Sequence, residues 1–322
     1  MLTETLLALA IAAAYSALIL GLERKIQARL QRRRGPSLLM PGLWTMLKSA
    51  YKRPLRPDSP SPGLYGMFLL AGVGSLAAIL VLTLPGWYGV LGFASLLGLA
   101  GLLKVEEATY IFMGSFSRSI MSTGMPFPDT IRGSKEAGVR SYFEDVAAVR
   151  ALKMITFGSF PFYIALTIPF MRAGSLEIGA VLLTHPAALA TVSGIIGAVV
   201  YFLGYNMLAN NRPFDIVKPK VDIMEGPMME YIAGWRALAH AMRGLALFVL
   251  SSVFVTLYLA VPFDLAKPGT AALHLALVIV MPALAAVLKA YSPVLTFKQI
   301  YPVSHALTVL GIVAVALAYL GV

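Results

Sequence analysis

Long apolar runs alternate with short polar stretches along the whole chain. A helix needs roughly 17–25 apolar residues to cross a bilayer. Runs of that length predict about eight spans, at about 4–22, 64–84, 88–113, 152–171, 187–208, 244–262, 270–290 and 303–321. Backbone in lipid must satisfy its own hydrogen bonds, so these spans are read as helices. A membrane β-barrel would need alternating segments of about ten residues, which the sequence lacks. The expectation is an all-α integral membrane protein. Residues 1–322 form a single helical domain, with structured cytoplasmic loops at about 23–63, 114–151, 209–243 and 291–302.

Hydrophobic residues make up 58% of the chain and charged residues 13%, which leaves no stretch for a soluble domain of any size. The cations sort by side. Arg24, Lys25, Arg29, Arg32, Arg33, Arg34, Lys48, Lys52, Arg53 and Arg56 lie between the first two spans, so that loop is expected in the cytoplasm. The same side receives Arg118, Arg132, Lys135, Arg140 and Arg150, then Arg212, Lys218, Lys220 and Arg236, and last Lys289 and Lys298. The other side receives Arg172 and Lys267, so both termini are expected outside a multi-pass plasma-membrane protein.

The net charge of +11 is thus a topology signal. It suits anionic lipid heads or an acidic cytoplasmic partner, and nucleic-acid binding is the poorer reading. Glu4 precedes the first span and no small-residue cleavage site follows it, so it reads as a retained helix. The absence of cysteine excludes disulfides and any cysteine-ligated cluster within this chain. His185, His240, His274 and His305 show no ligand spacing, and no metal site is expected.

Four polar features stand out. In the first loop, Glu23 to Arg34 continues the first helix until Gly35-Pro36 breaks it. Leu38 to Tyr51, with Trp44, Lys48 and Lys52, then resembles a helix lying in the membrane interface. Basic anchoring of topology does not account for Glu23, an acid among cations where the helix leaves the membrane. In the second loop, an amphipathic helix is expected from about Ser134 to Arg150, packing on a partner rather than doing chemistry.

The third span carries Lys104, Glu106 and Glu107 in "GLLKVEEATYIF". Ionisable residues at membrane depth are costly and face protein or a wet cavity. Lys104 and Glu107, three apart, can pair on one helix face, which points Glu106 elsewhere. The set reads either as a neutralised pair near the surface or as a link in an intramembrane proton or ion path.

The fourth feature is "NNRPFDIVKPKVDIMEGPMMEYIAGW", Asn210 to Trp235, where Asp215, Asp222, Glu225 and Glu230 stand among Arg212, Lys218, Lys220 and, just beyond, Arg236. Pro213, Pro219, Gly226 and Pro227 prevent one long helix. A compact, ion-paired loop is expected instead, able to dock a soluble subunit, with Met224, Met228 and Met229 favouring burial over a merely solvated connector.

Arg212-Pro213-Phe214-Asp215, then Gly226 and Glu230-Tyr231, resembles the third cytoplasmic loop of the H subunit of bacterial NADH–quinone oxidoreductase, the heel subunit of complex I, and of its relatives in membrane-bound energy-converting hydrogenases. "LERKIQARLQRRRGP" is similar to the end of that family's first helix, and "VRALKMI" to the start of its fourth or fifth. The resemblance covers nearly the whole chain. It implies a non-redox subunit with no catalytic residue or cofactor of its own. Iron–sulfur clusters, and nickel–iron in the hydrogenase branch, would belong to partners.

Those partners would be hydrogenase-like large and iron–sulfur subunits of a peripheral arm, and antiporter-like membrane subunits. Asp215, Asp222, Glu225, Glu230, Glu106, Glu107 and Lys104 would then be coupling or proton-relay residues. Glu23, Arg24, Lys25, Arg34, Arg212, Pro213, Phe214 and Tyr231 would shape and dock the loop. The departures are informative: Ser159 and Arg243 stand where acids are expected, Lys220 replaces a loop acid, and "MPFPDTIRGSKEAGVRSYFED" looks inserted. They favour the branch in which ferredoxin supplies electrons to a hydrogenase or a sulfur-reducing module. The alternatives are a quinone-site subunit of a true complex I and, less well, a stand-alone secondary transporter, for which no internal repeat is seen.

Overall fold

The computed structural model describes residues 2–53, 61–88, 90–117, 142–184, 186–217 and 225–322. Its helices are α1 (Leu2–Leu30), a π-helical turn (Met40–Trp44) running into α2 (Thr45–Ala50), α3 (Pro62–Leu82) and α4 (Leu96–Phe116). Next come α5 (Tyr142–Lys153), a second π turn (Met154–Gly158), α6 (Phe160–Ala173), α7 (Ile178–Leu183) and α8 (Val192–Leu208). The last four are α9 (Gly234–Tyr258), α10 (Pro268–Val278), α11 (Val280–Tyr291) and α12 (Phe297–Tyr319).

Among the described residues, six helices are long and apolar enough to cross a membrane: Leu2–Leu30, Pro62–Leu82, Val146–Ala173, Gly234–Tyr258, Pro268–Tyr291 and Phe297–Tyr319. The other two expected spans are helical as well. Val192–Leu208 is apolar but shorter, and the 21-residue α4 carries Lys104, Glu106 and Glu107.

Several boundaries differ from the sequence-based ones. The third span begins at Leu96 rather than near 88. Pro85–Trp87 makes a 3-10 turn, and Ser95 caps α4 by accepting from the Gly98 amide. The Leu96 amide donates to Leu176 and the Ile178 amide to Ala94, which ties two loops together on that side. Helix α9 starts at Gly234, earlier than the apolar run, because its first turns are polar on a face that lines the site below. Helix α1 ends at Leu30, short of Arg34, and Arg32 takes a positive φ of 56°. The helix expected from Ser134 to Arg150 is helical from Tyr142 onward, where α5 covers its second half; its first half lies outside the described residues.

Without a hydrophobic drive between helices in lipid, association depends on close packing and internal hydrogen bonds. Tyr201 sits at the centre of one such packing knot, ringed by Phe162, Phe254 and Tyr258, with its hydroxyl donated to the Leu250 carbonyl. His274 is fixed between Ser252 and the Val261 carbonyl. Beyond α1 the chain folds back antiparallel to it. Gly35 lies beside Lys25 and Ala28, Gly21 meets the Leu38 carbonyl, and Gly42 meets the Ala17 carbonyl. A Cβ on Gly21 or Gly42 would fall within about 2 Å of those oxygens, so the return path lies backbone on backbone.

Candidate coupling site

The third loop is fastened at both ends. The Pro213 carbonyl accepts from the Leu295 amide at 2.8 Å, Arg150 donates to the Ile216 carbonyl at 3.3 Å, and Phe214 is buried. At the far end Tyr231 stacks on Tyr65 with ring centroids 4.1 Å apart, and on Trp235 beyond it. Tyr65 donates its hydroxyl to the Pro227 carbonyl (2.8 Å), and Tyr231 donates to that of Tyr65 (2.7 Å). Burial, and then the neighbouring Tyr65, raise the Tyr231 pKa above the ordinary tyrosine value. Glu225 is ion-paired with Arg236, which also donates to the Met228 carbonyl. Glu230 is half-buried and engaged. Asp222, Lys218, Lys220 and Met224 lie outside the described residues.

Beside this loop a half-open chamber of about 340 Å³ is lined by Glu23, Arg24, Gln27, Gln31, Arg212, Asp215, Glu225, His240, Arg243 and Lys289, with Leu20 and Pro41. Glu23 is bound by Lys289 at 2.8 Å, both side chains nearly buried, and by Arg243 at 4.0 Å. One oxygen of Asp215 and the Nε of Arg243 are buried with no hydrogen-bond partner. Unpaired donors and acceptors on residues that line the chamber suit a water-filled space. The chamber thus gathers Glu23, Arg24, Arg212, Asp215 and Glu225 from the sequence-based list, whereas Lys25 and Arg34 do not line it. It adds Lys289, which sequence reasoning used only for topology: a cation in a helix's last turn is ordinary.

A second ionic cluster lies on α4. Lys104 pairs with buried Glu107 at 2.7 Å, as the spacing predicts, and Glu107 also accepts from the Tyr163 hydroxyl at 2.8 Å. The second π turn explains where the rest of the ammonium goes. The Ser159 amide donates to Met154, five residues back, instead of to Ile155. That frees the Ile155 carbonyl to accept from Lys104 at 3.1 Å, and the Ser159 hydroxyl accepts from it at 3.2 Å. The Tyr163 ring covers the ammonium at 4.1 Å. Single π turns recur at functional sites. Here one brings the Lys104 ammonium to Ser159, the position at which the family resemblance led an acid to be expected.

Glu106 points away, as expected, and interacts with Tyr110 one turn along. A small cavity of about 20 Å³ lies between Glu107, Tyr110 and Ser159 and the loop residues Asn210 and Val217, room for about one water. Arg243 interacts with Glu23 in the chamber and, electrostatically, with Tyr110, the partner of Glu106. Among the described residues no three His, Cys, Asp or Glu side chains converge as metal ligands.

Comparison with known proteins decides the family. The NADH dehydrogenase family profile matches residues 135–320, more than half the chain. The chain belongs to the NADH dehydrogenase family. A relative in Methanocaldococcus jannaschii, an uncharacterised protein, is 41% identical over 97% of this chain and 96% of its own. Hydrogenase-4 component C of Escherichia coli is 27% identical, covering 78% of this chain and 72% of that one. The H subunit of the NADH-quinone oxidoreductase of Chelativorans sp. is 24% identical over 88% and 83%. The membrane-bound sulfane sulfur reductase, an archaeal respiratory membrane complex, contains a chain of the same fold: TM-score 0.79, 20% identity, 98% of this chain and 99% of that one. The resemblance to the heel subunit of complex I is therefore borne out at the level of family and fold, and within the NADH dehydrogenase family this chain is a multi-pass membrane protein.

Proposed function

We propose that this chain is the non-redox anchor and coupling subunit of a ferredoxin-linked respiratory complex of the hydrogenase or sulfur-reductase kind. The third loop docks a peripheral electron-transfer arm. Redox change there alters charge in the chamber, and the change passes to Glu106 and Glu107 and on to ion-translocating membrane subunits. The observation that carries this reading is the adjacency of two ionic clusters, one in a chamber beside the docking loop and one at membrane depth. Arg243, which lines the chamber, also interacts with Tyr110, and the water-sized cavity beside Glu107 is bordered by the loop residues Asn210 and Val217. The cation distribution supports a plasma-membrane location with both termini outside.

A quinone-site role draws support from the chamber's size, within the usual 300–1,000 Å³ of ligand sites. Its ionic lining argues against that role, because such sites are mostly apolar.

The test uses the purified complex in vesicles. Glu107→Gln, and separately Glu230→Gln, should leave electron transfer and assembly intact while coupled ion transport falls by about a hundredfold, a usual cost of removing a positioned proton-transfer group. Undiminished transport in both variants with normal assembly would sink the relay. Loss of assembly in Glu230→Gln alone would leave only docking. Metal analysis of the same preparation distinguishes the branches: nickel marks a hydrogenase, and its absence a sulfur or quinone reductase.

A further inference from the structure

The return segment after α1 faces two ways. Pro41 and Gly42 are buried against α1, and Pro41 forms part of the chamber wall. On the opposite side Met40, Leu43, Trp44, Leu47 and Tyr51 form one exposed apolar row, with Trp44 61% exposed. Lys48, Lys52 and Arg53 are exposed alongside it, and residues 38–53 contain no acid.

The depth of this row follows from the backbone contacts. Gly42 is level with Ala17 of α1, about 9 Å inside Glu23 at 1.5 Å per residue. Interfacial helices bury their apolar face about 5–10 Å into the boundary between headgroups and acyl chains. The apolar row therefore lies where acyl chains begin, and the three exposed cations beside it, on long flexible stems, reach from there to the headgroups. Cations at that level, with no acid on their own segment, call for negative charge from the bilayer.

We propose that Leu38–Arg53 is an anionic-lipid clamp. Its apolar row sits among acyl chains, Lys48, Lys52 and Arg53 hold the phosphates of anionic headgroups, and the occupied clamp fixes Pro41 as a wall of the chamber. The clamp is independent of the relay proposed above.

Trp44 reports on it directly. The full chain is reconstituted in vesicles of phosphatidylcholine containing equal amounts of brominated acyl chain, carried either on phosphatidylglycerol or on phosphatidylcholine. The fluorescence component lost in Trp44→Phe belongs to Trp44. Bromine on either lipid should quench it, and the apparent enrichment around Trp44 should be at least about fivefold greater for phosphatidylglycerol, the preference that one surface cation confers. Combined K48Q, K52Q and R53Q should abolish that excess while quenching by brominated phosphatidylcholine persists, which shows the segment still seated. Lys48→Arg should keep the excess. Equal quenching by the two lipids in the unaltered chain would overturn the headgroup assignment. No quenching of Trp44 by either would mean that protein or water covers this face, and would overturn the clamp entirely.

Discussion

Glu23 and Lys289 are nearly buried partners contributed by α1 and α11. Removing one leaves the other as an uncompensated buried charge, which costs about 3–5 kcal/mol. Glu23→Gln should therefore lower the unfolding temperature of the solubilised chain markedly, and Glu23→Gln with Lys289→Gln should recover much of the loss. A double variant no more stable than the single one would show that the pair is not coupled. Tyr231 gives a pH signature. Its folded pKa is raised, so the unfolded chain loses its proton first, near pH 10. Stability from this residue is complete below that pH and declines as pH rises past it. Tyr231→Phe should flatten the alkaline decline and cost about 1 kcal/mol at neutral pH for the lost hydrogen bond; a thermal-melt series against pH reads both. At this scale spacing sufficed for Lys104 with Glu107, which are neighbours on one helix. It could not reveal Glu23 with Lys289, separated by most of the chain and joined only by tertiary packing.

The second π turn shows what an element contributes beyond its residues. It offsets the hydrogen-bond ladder between α5 and α6, so that α5 holds Arg150 on the loop while Ser159 and Tyr163 face Lys104. Deleting the exposed Thr156 would restore an α-helical ladder and rotate one half against the other by about 100°. One of the two attachments must then fail. Coupled transport should be lost although the chain still inserts, whereas Thr156→Ser should be silent; ion-uptake assays on vesicles with matched chain content separate the two. Hydropathy located these helices because membrane crossing demands long apolar runs. It misplaced the start of α4, where the run through Val90, Leu91 and Phe93 is apolar but not helical. It also missed the polar first turns of α9. A π turn has no composition of its own, and none was anticipated.

For the molecule as a whole, the polar groups gather on the side where the cations lie, with loop, chamber and return segment side by side, and the clasp of Tyr65, Tyr231 and Trp235 holds the third loop to α3. Arg236→Gln removes the partner of Glu225 and a donor to Met228. Recovery of soluble subunits with this chain from solubilised membranes should fall several-fold while the chain itself remains in the membrane; unchanged recovery would remove the loop from the docking face. The spacing from Arg212 to Tyr231 made the family legible, but not the chamber, whose walls come from residues spread between Leu20 and Lys289. The Lys104 ammonium has a further use. Its three hydrogens are committed to Glu107, Ile155 and Ser159 under the Tyr163 ring. An acylating reagent should modify exposed Lys48 and Lys52 well before it modifies Lys104. Mass-spectrometric timing of that last modification, with and without turnover, would then serve as a clock for how often the π turn lets go.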